Sequence, residues 1–210
     1  MMTTASDPGA GELFAALPAS DPAAQARLHE RLVAGAEREG LLDVAYRTLV
    51  TPVGTLLLAA TEEGLVRVAY DSPDHGGHDA ALADLAERIS PRVLEAPARL
   101  AQAVQQIEEY FEGSRTRFEL ALDMRLSKGF RRDVITHLSR IAYGSTESYA
   151  QVAAAAGSPR AVRAVGTACA TNPLPVVIPC HRVVRSDGSA GGYAGGAEAK
   201  HALLRLETAA

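Results

Sequence analysis

The sequence predicts an α+β fold, a small N-terminal α/β domain followed by a helical domain, on three observations. Between residues 43 and 70, short apolar runs alternate with turn residues. From Leu126 onward, apolar residues recur at helical spacing instead. The charge also changes sign between the halves of the 210-residue chain: residues 1–123 hold 10 Lys/Arg against 20 Asp/Glu, and residues 124–210 hold 11 against 5. Uneven chance would explain that division, and so would a basic C-terminal domain that meets a polyanion while an acidic one faces away. At 47% hydrophobic and 22% charged the chain is an ordinary globular mixture. No apolar run approaches the ~18 residues of a membrane span, and Met1 to Ala10 lack the basic start of a secretion signal. Cytoplasmic is the expected compartment, with the two cysteines, Cys169 and Cys180, reduced.

Residues 1–20 read as a mobile tail. Asp21-Pro22 supplies an N-cap and a proline at the first helical position, and Ala24, Leu28, Leu32 and Ala36 repeat at spacing four up to Gly40. This helix reads as a cap on the next domain, and residues 1–42 as an N-terminal extension. Val44 to Val50, Thr55 to Ala60 and Leu65 to Tyr70 read as a strand meander, and Asp71 to Gly77 as a loop. Residues 79–89 and 97–112 read as helices, the second with Leu100, Val104, Ile107 and Phe111 on one face; Thr116 to Leu122 reads as a further strand. The α/β domain thus spans 43–122 and the helical domain 123–210.

In the helical domain, Phe130, Val134, Leu138 and Ile141 form one stripe. Ser148 begins a helix closed by Gly157, and Ser158-Pro159 is read as the N-cap and first residue of the next, over 159–170. Two short helices across a Gly-Ser turn make a helix-turn-helix pattern. The second carries almost nothing large except Arg160 and Arg163, which suits close packing and also suits a helix laid against a nucleic-acid groove.

The chemistry concentrates at residues 172–182. Leu174 to Ile178 reads as a short buried strand fenced by prolines, which stops at Pro179 and presents Cys180, His181 and Arg182. A buried cysteine beside a histidine is most often packing. The stiff lead-in, the following Arg182 and Arg185, and the glycine-rich loop Gly188 to Gly196 favour a nucleophile whose thiol pKa is lowered by positive charge. Adjacent strand side chains diverge, so His181 would reach Cys180 through a water. A carboxylate would fix its tautomer, with Glu207, Asp187 and Glu198 all open on spacing.

Pro179-Cys180-His181-Arg182-Val183, preceded by Asn172-Pro173, resembles the O6-alkylguanine-DNA alkyltransferases, the methylated-DNA–protein-cysteine methyltransferase family. So do Tyr143-Gly144, Ser148-Tyr149, Ala161 to Gly166, Gly192 to Gly196, Lys200 and the Leu203-Leu204…Glu207 ending, in order through residues 130–207. The resemblance implies a ribonuclease-H-like first domain and a winged-helix-like second. It implies a single-turnover repair reaction on double-stranded DNA, in which a damaged guanine is flipped out and its O6-alkyl group passes irreversibly to Cys180, with O4 of thymine as a further target. It makes His181 the water-mediated base, Glu207 its holder and Asn172 the brace of the turn. Tyr149 would rotate the nucleotide and donate toward guanine N3. Arg163 would fill the gap left by the base, with Ser158, Arg160 and Ser186 also on DNA, and Val183, Tyr193 and Ala194 would line the alkyl pocket. No cofactor or metal is implied, and the protein would act as a monomer, with clustering on DNA left open.

The chain departs from the family pattern at Arg131, Ile135, Ala142 and Ala194, where many relatives carry glutamine, tryptophan, proline and serine. Other classes compete: a damage-recognition protein that does not transfer, which would lack the cysteine; a helix-turn-helix regulator, which would need more base-reading side chains; and a cysteine hydrolase, which would need an oxyanion hole.

Overall fold

The structure, a computed structural model, describes residues 21–72 and 76–208. The expected tail over residues 1–20 and the centre of the 71–77 loop lie outside the described residues. Helix α1 (Pro22–Arg38) falls in a compact unit of its own, 1–39, and is described by itself. Asp21 caps it as the sequence predicts, its Oδ1 accepting from Ala23 N at 2.9 Å. Its apolar stripe is not buried: Leu28 and Leu32 are 62% and 55% exposed.

Residues 40–210 form the second unit. Strands β1 (Val44–Thr51), β2 (Gly54–Thr61) and β3 (Gly64–Tyr70) make an antiparallel meander. The three-residue β4 (Val93–Glu95), which carries no signal in the sequence, adds in parallel to β1, giving the order β3-β2-β1-β4. β2 is apolar without alternation because both of its faces are covered. Leu57 and Ala59 join Val44, Val66 and Leu85 of helix α2 (Gly77–Arg88), whereas Leu56 and Leu58 join Leu100, Val104 and Ile107. Leu100 closes a 3₁₀ turn, Pro97–Leu100, that leads into α3 (Ala101–Phe111).

The segment read as a strand over Thr116 to Leu122 is irregular and makes a single bridge, Leu122 to Leu65. It nonetheless occupies the free edge of β3: Leu65 N donates to Ala121 O and Asp123 N to Leu65 O, both at 2.9 Å. Further along that edge Val68 N donates to Pro173 O at 2.8 Å. An edge strand is a row of unpaired backbone groups, and here the segment leading to the helical domain, and that domain itself, satisfy part of the row.

The helical part holds α4 (Gly129–Leu138), α5 (Tyr149–Ala155), α6 (Val162–Ala170) and α7 (Gly196–Thr208), with a two-residue parallel pair, β5 (Glu147–Ser148) and β6 (Val183–Val184). Val134, Leu138, Val152, Val165 and Leu203 continue the same core that contains Leu56 and Ile107, so the inner face of the sheet and the helices share one interior. Ser148 caps α5 through a capping box with Gln151. Ser158 does not cap α6. Residues 158–161 close a turn of their own, Ala161 N to Ser158 O at 2.8 Å, and the helix begins at Val162 without a side-chain cap.

Candidate active site

Residues 172–182 are buried throughout, but Leu174 to Ile178 is not a strand. Pro175 and Pro179 have no donor for a ladder, and local partners take several of the other backbone groups. Asn172 Nδ2 donates to Ile178 O at 2.9 Å, its Oδ1 accepts from Leu174 N at 3.0 Å, and Ile178 N returns to Leu174 O at 2.8 Å. The run closes on itself as one turn. Val176 sits at its head with φ 72°, the left-handed region that a β-branched residue rarely enters. Pro179 (φ −81°, ψ 63°), spanned by Cys180 N to Ile178 O at 2.8 Å, is an inverse γ-turn, and Cys180–Arg182 is a 3₁₀ turn. The divergence argued for adjacent strand side chains therefore does not apply to Cys180 and His181.

Cys180 is 2% exposed and His181 is fully buried. His181 Nε2 lies 2.8 Å from Glu207 Oε1, so of the three carboxylates left open by spacing, Glu207 is the partner. Asp187 instead caps the exposed turn at Ser189, and Glu198 is exposed on the first turn of α7. Glu207 is 3% exposed and saturated with donors. Arg182 reaches it through Nη2 at 2.8 Å and Nε at 2.9 Å, Tyr110 Oη through 2.7 Å, and Gly144 N through 3.2 Å. Burial alone would raise this carboxyl's pKa, but the bonds from His181 and Arg182 overcome it and hold it at about 2. With Glu207 ionised, His181 carries its proton on Nε2, and Nδ1 is left as a buried acceptor without a partner among the described residues.

The expected lowering of the thiol pKa is not what the fold delivers. Burial pushes Cys180 up to about 11, against the pull of the Asn172 amide and the Lys200 charge. The adjacent guanidinium of Arg182 is turned to Glu207, and Arg185 is exposed with its contact at Ser189. Lys200 is fully buried, with Nζ donating to Val183 O at 2.6 Å. Cys180 is therefore a thiol at neutral pH, and a base is needed to make it a thiolate.

The other predicted residues sort into two places. Val183 is buried on β6, and Tyr193 and Ala194 are half-buried on the glycine-rich loop, with the Tyr193 ring edge-on to His181 at 6.1 Å between centroids. Tyr149, half-buried at the start of α5, packs its hydroxyl against Gly191: a Cβ there would lie 2.8 Å from it. Arg160, Arg163 and Ser186 are exposed and Ser158 half-exposed, so none of them belongs to the buried set. Arg163 is the one charged side chain on the exposed face of α6, which otherwise shows Val162, Ala164, Thr167 and Ala170.

Models of two family domains match the chain: the ribonuclease-like domain of 6-O-methylguanine DNA methyltransferase over residues 44–124, and its DNA-binding domain over 129–209. The chain belongs to the 6-O-methylguanine DNA methyltransferase family. Among similar proteins, the constitutive methylated-DNA–protein-cysteine methyltransferase of Bacillus subtilis (strain 168) is 40% identical over 163 residues, 77% of this chain and 94% of that one. The methylated-DNA–protein-cysteine methyltransferase of Mycolicibacterium paratuberculosis is 38% identical over 78% of this chain and 92% of its own. A crystal structure of Mycobacterium tuberculosis OGT in complex with DNA aligns with TM-score 0.65 and 35% identity over 79% of this chain and 93% of that one. As a member of this family the protein is a DNA-repair alkyltransferase with a DNA-binding domain.

Three residues around this methyltransferase's buried cysteine hold positions that the sequence did not indicate: Arg182, expected to act on the thiol, and Tyr110 and Lys200, which carried no expected role. Arg182 holds Glu207 from the residue after His181, Tyr110 reaches the same carboxylate from α3, and Lys200 places a cation beside Val183. Arg182 and Lys200 stood inside the resembling motifs; Tyr110 had no local signal. Of the departures, Ile135 is fully buried in the α4 stripe and Arg131 donates to Thr171 Oγ1 at 3.1 Å.

Acid should lower this protein's stability in two pH windows. His181 is held below its ordinary 6.5 by burial, so as pH falls through 6.5 the unfolded chain gains a proton that the folded one does not, and stability declines. Glu207, held at about 2 against an ordinary 4.5, contributes stability that is complete above 4.5 and lost as pH falls through 2, worth about 3 kcal/mol. Thermal unfolding midpoints measured from pH 8 to pH 3 should fall in both windows, and Glu207→Gln should remove the lower decline. A single decline shared by both proteins would show that Glu207 is not the group responsible.

Proposed function

We propose that this methyltransferase acts on double-stranded DNA containing O6-alkylguanine and moves the alkyl group to Sγ of Cys180, once per molecule. The observation that carries this reading is the buried Cys180–His181–Glu207 set, in which a protonated thiol immediately precedes in sequence an imidazole whose Nδ1 is unprotonated and has no partner among the described residues. His181 Nδ1 takes the thiol proton through a bridging water, and Glu207 stabilises the imidazolium that forms. Sγ attacks the alkyl carbon, the carbon–O6 bond breaks, and its electron pair passes into the guanine ring. Tyr149 donates a proton toward N3 as the base leaves. Nothing in this sequence restores the thiol, so the thioether is the end state. Asn172 keeps the turn before Cys180 closed, and Val183, Tyr193 and Ala194 surround the alkyl group.

O6 of a stacked guanine is out of reach of a thiol that is 2% exposed, so the base must be flipped. The exposed face of α6 suits a close approach to the duplex, Arg163 fills the space the base vacates, and Ser158, Arg160 and Ser186 contact the strand. We take residues 43–122 as the α/β domain, 123–210 as the catalytic and DNA-binding domain and 1–42 as an extension. The protein works as a monomer in the cytoplasm, where the thiol stays reduced.

The test is intact-protein mass after mixing with a duplex carrying one O6-methylguanine. A gain of one methylene on the peptide containing Cys180, saturating at one per protein, is expected; tight lesion binding with no gain would replace this reading with damage recognition alone. Arg163→Ala should slow single-turnover repair of the duplex on the order of tenfold while leaving reaction with free O6-benzylguanine near its original rate, because only the duplex requires extrusion. Equal losses on both substrates would remove Arg163 from the extrusion step.

A further inference from the structure

Tyr70 closes β3 in the N-terminal sheet and is 8% exposed, yet its contacts are with the catalytic loop. Its hydroxyl lies 3.1 Å from that of Tyr193, and the two rings meet edge-on with centroids 5.7 Å apart at 74°. Tyr193 in turn meets the His181 ring edge-on at 88°. The loop is pressed onto Tyr70: a Cβ at Gly195 would lie 2.6 Å from its ring. The strand cannot easily retreat, since Tyr70 is in register with Leu56 of β2 and Val68 N is bonded to Pro173 O. Tyr70 also lines a cavity of about 530 Å³ together with Ala194, Asn172, Arg67 and Arg131. The cavity is a cleft partly open to solvent that Asp84 and Arg88 also line, and its volume exceeds the ~150 Å³ that a benzene ring fills.

We propose that Tyr70 is the back wall of the alkyl pocket and sets the size of alkyl group that Cys180 receives. This rests on the reading of Tyr193 and Ala194 as pocket residues. Tyr70 stands between Tyr193 and a space large enough for an aryl group, and Ala194, with only a methyl side chain, does little to close the gap beside it. Removing the Tyr70 ring would join the cavity to the pocket. A bulky group gains room, and a methyl group loses the surface that holds it against Sγ. A single methylene of misfit is worth about 10 to 200-fold in discrimination.

The experiment compares second-order rate constants for Cys180 alkylation by duplexes of one sequence carrying O6-benzylguanine or O6-methylguanine. Tyr70→Ala should raise the benzyl-to-methyl ratio about tenfold, whereas Tyr70→Phe, which keeps the wall and loses the hydroxyl pair, should keep the ratio within about twofold while both rates fall together. A Tyr70→Ala ratio equal to that of the unsubstituted protein, with both rates changed alike, would reduce Tyr70 to packing and overturn the proposal. Should Tyr70→Ala fail to fold, Tyr70→Leu is read by the same ratio. If the unsubstituted protein transfers neither group to Cys180, the pocket reading itself fails and the proposal with it, an outcome distinct from an active protein whose ratio does not move.

Discussion

Cys180→Ser is expected to abolish the mass gain, lowering the rate of transfer by on the order of 10⁴-fold or more, while binding to a duplex containing O6-methylguanine persists. The substitution changes nucleophilicity far more than packing. Displacement at an alkyl carbon needs a sulfur anion, and the proposed relay from His181 must already work against a thiol held at about 11 by burial. A serine hydroxyl is a far weaker acid, and its oxygen is a poorer nucleophile toward carbon, so the same imidazole cannot generate a competent attacker. Packing changes little: serine is nearly isosteric, and the Asn172 amide that adjoins the sulfur gives a buried hydroxyl a partner. Its cost to stability should stay within about 1–2 kcal/mol. Intact mass, a gel-shift titration and a melting curve on one preparation check all three statements. A serine variant that still gains the alkyl group at the same site would mean that another residue is the acceptor. The buried Cys169 would be the first to inspect, its thiol being pushed up to about 12 by burial.

The regular elements were legible because their signals are local. The meander is written in apolar runs between turn residues, Asp21-Pro22 and Ser148 announce their helices, and the stripe from Val134 to Ile141 identifies the buried side of α4 and the turn after it. Failures came where a local signal has two outcomes. Leu174 to Ile178 carries the composition of a buried strand, but Asn172 offers its backbone a closer partner and the run folds into a turn with Val176 in a left-handed conformation. Ser158-Pro159 has the chemistry of a cap, but residues 158–161 spend it on a separate turn. At the site, proline fencing and the clustered cysteine, histidine and arginine were enough to single out residues 180–182. Direction was not legible. Arg182 stands next to Cys180 in sequence, but the 3₁₀ turn sends its guanidinium to Glu207, so burial, unopposed by it, sets the thiol. Tyr110 and Tyr70 enter from helix α3 and strand β3, 97 and 123 residues from the groups they touch, and no periodicity encodes such a pairing.

Glu207→Ala should be the most destabilising single change in the site, by about 3–5 kcal/mol, which for a chain of this size is a fall of about 10 °C in Tm. Four donors converge on this carboxylate: His181 Nε2, Arg182, Tyr110 Oη and Gly144 N. Its removal leaves the Arg182 charge 7% exposed and the His181 ring fully buried, both short of an acceptor. Glu207→Gln separates stability from chemistry. Its carbonyl oxygen can still accept from His181 and Tyr110, but its amide then faces Arg182 Nε and Gly144 N, donor against donor; the flipped amide opposes His181 instead. Either orientation loses the negative charge that, in the proposed relay, stabilises the imidazolium as the Cys180 proton arrives. The rate of alkyl transfer should therefore fall about 10²-fold, while Tm falls by less than in the alanine variant. Both are read on one preparation, by single-turnover mass spectrometry and by thermal denaturation. A glutamine variant with an unchanged rate but a lowered Tm would leave Glu207 a purely structural anchor for Arg182 and Tyr110. The imidazolium would then have to be stabilised by the dipoles around Cys180 rather than by a carboxylate.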